Sequence, residues 1–451
     1  MSSNGASSEL KDQIFILVTG ANSGLGFSIC CRLADEFLQK RPQTQHLTVI
    51  FTARGPKKGK ETLARLQEHL RNNPIVRKEP SAASRVSFEA EDVDLTELLS
   101  VRALSRRLLQ TVPKLDAVVL NAGYGGWTGI NWTEAIWKVM TDTLHAVSWP
   151  TYKLGSVGMV TRKQTSLPKE EPRLGAVFCA NVFGHYMLAH NVVPLLNRSG
   201  SPNGPGRIIW VSSLEATIEL FDADDIQGLR TDASYESSKS LTDVLALTSD
   251  LPSTAPWVNS FLSEDSSKGP RKEEEQEGSH QKPTLYVTHP GICGTSIVPL
   301  ILPAFYSMLF CFWFARMLGS PWHTVSTYFG ACAPVWAALS EQAVLDAAEA
   351  PYRQNGGGHA KWGSSVDRRG VDRPVSSEVE GWGHGGVVGV AVVEEDRRRR
   401  RKRGARDLTV EDRQRFEELG RRCWKEMEEL RIQWDGILDE AEAAASGSGT
   451  S

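Results

Sequence analysis

No two cysteines in this sequence stand at the C-x-x-C spacing of a metal site. The seven present (Cys30, Cys31, Cys179, Cys293, Cys311, Cys332 and Cys423) are odd in number and mostly set in apolar stretches. That argues against a disulfide framework or a zinc ribbon and for reduced structural thiols in a cytosol-facing protein. Charge of one sign is scarce too: the formal net charge is −3 over 451 residues, so no global field draws the chain to nucleic acid. There is no internal repeat, and residues 1–13 are too polar to read as a signal peptide. Long apolar runs are missing with one exception. Residues 297–315 (IVPLILPAFYSMLFCFWFA) carry no charge, but Pro299 and Pro303 interrupt them. The stretch beyond Pro303 is too short to cross a bilayer as one straight helix. A helical pair lining an apolar pocket, or a segment lying in a membrane interface, fits it better.

What is present is an alternation of short apolar runs with helical patterns from residue 14 to about 340. Residues 14–18, 48–52, 86–90, 117–120, 207–211 and 284–288 read as strands. Residues 27–39, 57–71, 98–111 and 177–196 read as helices, as does the segment around Tyr235. Buried strands separated by helices predict an α/β fold, a Rossmann-type doubly wound parallel sheet with helices on both faces. That domain should span residues 12–350, with insertions at about 124–175 and 253–282. The first insertion reads as irregular; the second, rich in Ser, Glu, Lys and Pro, reads as a solvated loop. Residues 351–406 hold Gly356-Gly357-Gly358 and seven consecutive basic residues at 397–403, directly preceded by Glu394, Glu395 and Asp396. They read as a solvated linker. In 407–445, Phe416, Leu419, Cys423, Met427, Leu430, Trp434 and Leu438 recur at three- and four-residue steps. They predict a C-terminal amphipathic helix docked on the enzyme body.

Two motifs carry chemistry. Gly20-x-x-x-Gly24-x-Gly26 follows an apolar strand and opens a helix, with Asn22, Ser23 and Leu25 inside the turn. Glycines there permit a tight bend and let the backbone approach a pyrophosphate at a helix N-terminus. At the end of the second strand Arg54, supported by Lys57 and Lys58, would attract a ribose 2′-phosphate, which favours NADPH over NADH. Asp94, after the third strand, would sit beside the adenine, and Asn121, ending the fourth, would wall the cofactor. The second motif is Tyr235-x-x-x-Lys239. On a helix this step puts phenol and ammonium on one face, where the lysine would favour ionisation of the tyrosine and fit it to exchange a proton with a carbonyl oxygen.

Together, TGANSGLG at 19–26, NAG at 121–123, Asn181, Ser213, YESSK at 235–239 and Pro290-Gly291 resemble the short-chain dehydrogenase/reductase family, over roughly residues 12–340. The stretches FCANVFGHYMLAHNVVPLL at 178–196, RIIWVSS at 207–213 and the apolar run after HPGICGTS are similar to the 3-keto-steroid reductases of sterol biosynthesis. The resemblance implies NADPH-dependent reduction of a C-3 ketone during sterol C-4 demethylation. It implies Tyr235 as the proton donor and Lys239 as the ribose-binding cation that lowers the phenol's pKa. Ser213, rather than Ser212, would hold the substrate oxygen, and Asn181 would keep a water in a proton relay. Pro290, Gly291 and Thr295 would shape the loop near the carboxamide, and no metal is implied. A 17-keto steroid, a retinoid or a fatty carbonyl would satisfy the same site, and a mainly scaffolding role in a sterol-modifying complex is a further reading. The expected setting is the cytosolic face of the endoplasmic reticulum membrane or a lipid droplet. Other C-4 demethylation enzymes or a cyclase are the expected partners.

Overall fold

The computed structural model describes residues 12–200, 203–264, 282–295, 297 and 300–448. Ten strands are found among them: β1 (Gln13–Val18), β2 (His46–Ala53), β3 (Val86–Asp92), β4 (Ala117–Leu120), β5 (Trp127–Ile130), β6 (Lys153–Gly155), β7 (Arg207–Val211), β8 (Thr284–His289), β9 (Lys361–Val366) and β10 (Asp372–Ser377). Eight of them form one sheet in the order β10-β9-β8-β7-β4-β1-β2-β3, parallel except for β10, which runs antiparallel to β9. The reason lies in the strand sequences. Side chains alternate across a strand, so a strand apolar at every position must be covered on both faces. Phe15 and Leu17 of β1 enter one core with the helix Leu98–Thr111 and the segment 178–196. Ile14, Ile16 and Val18 enter the opposite core with the helix Gly24–Lys40. The doubly wound sheet expected from the strand pattern is therefore the fold observed. After β1 the chain winds outward through β2 and β3, then returns to place β4 on β1's other side. That reversal opens a crevice at the carboxyl ends of β1 and β4, where ligands of such sheets bind.

The expected linker at 351–406 is a correction. Its residues supply β9, which runs parallel to β8 (Val287 opposite Lys361, His289 opposite Gly363), and β10 at the sheet edge. Lys-Trp-Gly-Ser-Ser-Val and Asp-Arg-Pro-Val-Ser-Ser have too little apolar character to signal strands, yet all six β9 residues are buried. Polar contacts make this tolerable: Ser364 donates to Gly330 O and accepts from Ala333 N. Pro374 fits because β10 is an edge strand. The basic run is not a free patch. Arg399 pairs with Glu395 and Asp396, Arg400 with Glu378 and Asp407, and Lys402 with Glu380, while Arg401 is buried.

The 124–175 insertion is irregular mainly over residues 156–175; its first part is ordered. It forms the β5–β6 hairpin and two short helices, Trp132–Thr141 and Thr143–Ser148. Of the 253–282 loop, Ala255–Phe261 is a helix and residues 265–281 lie outside the described residues. The expected helical pair at 297–315 is one helix, Leu302–Met317, with Pro303 in its first turn, the position proline tolerates. No helix among the described residues is long and apolar enough to cross a membrane. The C-terminal helix Val410–Ser448 packs Phe416, Cys423, Trp424, Met427, Trp434 and Leu438 into the core. Trp424 Nε1 donates to Leu245 O on the Tyr235 helix (3.0 Å), and Glu428 accepts from the Tyr186 hydroxyl (2.7 Å). All seven cysteines are unbridged, five of them buried.

Candidate active site

The glycine turn is held from both neighbouring strands. Thr19 Oγ1 accepts from Asn121 N (2.9 Å) and Ala122 N (3.0 Å), and its ring neighbour His185 Nε2 lies 2.9 Å away. Thr52 Oγ1 accepts from Gly20 N at 3.0 Å. Asn121 Nδ2 donates to Thr19 O at 2.9 Å, so this side chain braces the turn as well as lining the crevice. Gly26 is obligatory: a Cβ there would lie 2.3 Å from Gly20 O and 2.6 Å from Asn121 Nδ2. The helix that starts at Gly24 has no acidic residue in its first turn, so nothing of like charge opposes an anion at its N-terminus. The cradle fits a dinucleotide pyrophosphate. Thr295 lies over it, with its Cβ and Cγ2 4.0 Å from where a Gly24 Cβ would stand.

Around the crevice the expected cofactor residues come together. Gly20, Asn22, Ser23, Gly24, Leu25, Gly26, Arg54, Asp94, Asn121, Pro290 and Thr295 all line one cavity with Ser213, Tyr235 and Lys239. Arg54 is exposed at the end of β2. Asp94 Oδ1 is already occupied by Thr96, through its N (2.9 Å) and Oγ1 (2.7 Å). Arg65, which no motif marked, donates to Asn22 O at 3.0 Å and lies over the Phe27 ring, bracing the turn from the next helix.

Tyr235 and Lys239 share a face of the helix Ser234–Leu247, as their spacing requires. The Ser213 hydroxyl, which accepts from Glu215 N at 3.1 Å, lines the same cavity as the Tyr235 phenol. Ser212, also in the lining, donates to Lys239 O (3.3 Å). The phenol is not driven towards ionisation as the sequence suggested. Burial raises its pKa well above the usual value, the Glu215 charge adds to this, and Ser213 only partly opposes it. Lys239 contributes little there because its Nζ donates to Val211 O (2.8 Å), 5.8 Å from the phenol ring centre. Burial also pushes the Lys239 ammonium down to about 8, with Asp243 opposing and Lys361 assisting. A protonated phenol is the form that can donate a proton.

Asn181 sits in a π-helical turn, Cys179–Phe183, a distortion often found at functional sites. The bulge lets the following helix pass the loop after β3 so closely that a Cβ on Gly184 would stand 2.2 Å from Leu95 O. Its amide is fully engaged. Oδ1 accepts from Tyr124 N (2.7 Å), and Nδ2 donates to Tyr124 O and Ser238 Oγ, both at 3.0 Å. The side chain thus ties the loop after β4 to the Tyr235 helix, and its main-chain carbonyl lies 3.2 Å from His185 Nδ1.

Two buried lysines escaped the sequence reading because each arrives from a segment without a motif. Lys361 of β9 donates to Asp243 Oδ2 (2.6 Å) and to the Ser213 carbonyl (2.7 Å). Lys153 of β6 reaches the front of the site. The cavity measures about 1140 Å³, and its far wall is apolar: Ile136, Val139 and Met140 from one side, Ala304, Met308 and Phe312 from the other.

No family model matches the chain. Among curated proteins, it is 67% identical over 448 residues to the 3-keto-steroid reductase erg27 of Aspergillus fumigatus, covering 99% of each chain. It is 38% identical to the 3-keto-steroid reductase ERG27 of Gibberella zeae, over 95% of each. The protein of the same name from Candida albicans is 33% identical, over 84% of this chain and 92% of that one.

Proposed function

Since the chain belongs to the 3-keto-steroid reductases of the short-chain dehydrogenase/reductase family, we infer that it reduces the 3-keto group of a steroid to a 3-hydroxyl. The observation that carries this is the single cavity joining the glycine turn, the Ser213–Tyr235–Lys239 group and a deep apolar wall. A nicotinamide dinucleotide held on that turn supplies the hydride. The chain's own residues do the rest. Ser213 binds the ketone oxygen, and Tyr235, protonated because it is buried, donates its phenolic proton to that oxygen as charge develops there. Lys239, fixed by Val211 O, is placed to hold the nicotinamide ribose. Asn181 keeps the loop after β4 in register with the Tyr235 helix. Turnover of a 3-keto steroid by the purified protein tests the reading; turnover of retinal or a 17-keto steroid with none of a 3-keto steroid would overturn it.

We propose NADPH as the donor and a C-4 demethylation intermediate as the substrate. Arg54, exposed at the end of β2, is the cation a 2′-phosphate would meet. Arg54→Ala is expected to raise the KM for NADPH about tenfold, the loss of roughly 1.4 kcal/mol, and to leave the KM for NADH within about twofold. Steady-state kinetics with both cofactors check this; equal effects would refute it.

We also propose attachment to a lipid surface, the cytosolic face of the endoplasmic reticulum or a lipid droplet. The helices that wall the cavity with one face expose apolar residues on the other. Trp137 is 69% exposed, and across the mouth Tyr306 and Phe310 are each 65% and Trp313 50% exposed. So extended an apolar surface beside a cavity mouth marks an interaction site, and short helices of this kind lie in the headgroup region rather than span it. A Tyr306→Asp, Phe310→Asp, Trp313→Asp triple variant should no longer float with phosphatidylcholine vesicles. Undiminished flotation would disprove the attachment.

A further inference from the structure

The front of Tyr235 is covered by a charge cluster whose residues come from three separate segments. Lys153, from β6, has a side chain only 6% exposed; it pairs with Glu215, two residues beyond Ser213, and with Glu236 Oε1 at 3.1 Å, next to Tyr235 itself. Its ammonium also lies 3.9 Å from the centre of the Trp127 ring and 5.5 Å from that of Tyr235. Trp127 in turn packs on Tyr235, their ring centres 4.8 Å apart. The hairpin bearing Lys153 is clamped to the chain just before the Tyr235 helix, for a Cβ on Gly155 would stand 1.7 Å from Asp232 O. One cation is thus shared by two carboxylates directly beside the phenol.

We propose that Lys153 is a positioning residue of the reaction: it neutralises Glu215 and Glu236 and holds Trp127 against Tyr235, so that the phenol can give up its proton. The electrostatics run in the required sense. When Tyr235 donates its proton a phenolate forms, and each nearby carboxylate opposes that charge. Glu215 and Glu236 both raise the Tyr235 pKa. Burial by itself disfavours the Lys153 ammonium, yet Glu215 and Glu236 outweigh it and the net shift is upward, so the cation persists at neutral pH. Removing it takes away the cation that offsets Glu215 and Glu236 where a further negative charge must appear in the transition state. The inference deepens the reductase reading and rests on it.

The test uses the full-length protein with NADPH and a 3-keto steroid in detergent. Lys153→Met should lower kcat about 10- to 100-fold while KM stays within about threefold, the signature of an interaction realised in the transition state. The solvent deuterium isotope effect on kcat should rise, because proton donation becomes the slow step. Lys153→Met combined with Glu215→Gln should recover about tenfold of the loss, and Lys153→Arg should stay within about fivefold of the wild type. A Lys153→Met enzyme with unchanged kcat, or one that loses KM alone with an unaltered isotope effect, overturns the proposal. So does a Lys153→Arg enzyme as slow as Lys153→Met, a comparison that holds even if the methionine variant folds poorly. Absence of turnover in the wild type would instead remove the reductase reading.

Discussion

Tyr235→Phe is expected to abolish ketone reduction, lowering kcat about 10³-fold or more, while leaving cofactor binding intact. The size follows from the loss of the group placed to act as general acid, a contribution of about 10²–10⁴-fold. Tyr235 is buried and its phenol is held protonated at neutral pH, so no solvent acid is positioned to replace it. The ring itself packs on Trp127, and phenylalanine preserves that contact, so the fold should not suffer. Single-turnover kinetics with a bound reduced nicotinamide would separate binding from chemistry. Reduction within tenfold of the wild-type rate would remove Tyr235 from the mechanism.

The second large effect is expected behind the site. Lys361 and Asp243 are both 1% exposed and 2.6 Å apart. Lys361→Met leaves the Asp243 carboxylate buried beside a carbon chain and releases the Ser213 carbonyl. Breaking a buried pair from one side costs about 3–5 kcal/mol, far more than losing an exposed one. At about 2.1 cal/mol/K of unfolding entropy per residue, that corresponds to a melting temperature lower by about 3–5 °C. Lys361→Met with Asp243→Asn should recover part of the loss, since the unpaired charge is then gone. A single variant that melts with the wild type would show that the pair contributes nothing. Lys361 also helps hold down the pKa of Lys239, so the same substitution reaches the cofactor side of the site.

The two ends of the site were legible in the sequence to different degrees. The glycine turn and the Tyr235–Lys239 step are local, and local spacing fixes their geometry; the parallel sheet followed from apolar runs buried on both faces. Ser213 needed the resemblance, since nothing in its local spacing marks it off from Ser212. What could not be read has a common physical cause. Lys361 meets Asp243 across 118 residues, and Lys153 meets Glu215 across 62. Neither contact leaves a periodicity. β9 and β10 stayed hidden for the opposite reason to β1: buried serines and a buried lysine satisfied by hydrogen bonds look like solvent-exposed chain to any reading based on hydrophobicity. The tyrosine's pKa was misjudged because spacing shows a cation four residues away but not that its Nζ is turned to Val211 O.

The tail of the chain carries a timing consequence. The Tyr235 helix is backed by Trp424, and the Ser213 carbonyl is held by Lys361, both from the last hundred residues. A ribosome adding about 5–20 residues per second needs roughly 10–40 s to travel from Tyr235 to the end of that backing helix. During that interval the proton-donating half lacks its rear wall. The proton-donating side of the site is therefore completed only after Lys361 and Trp424 have been synthesised.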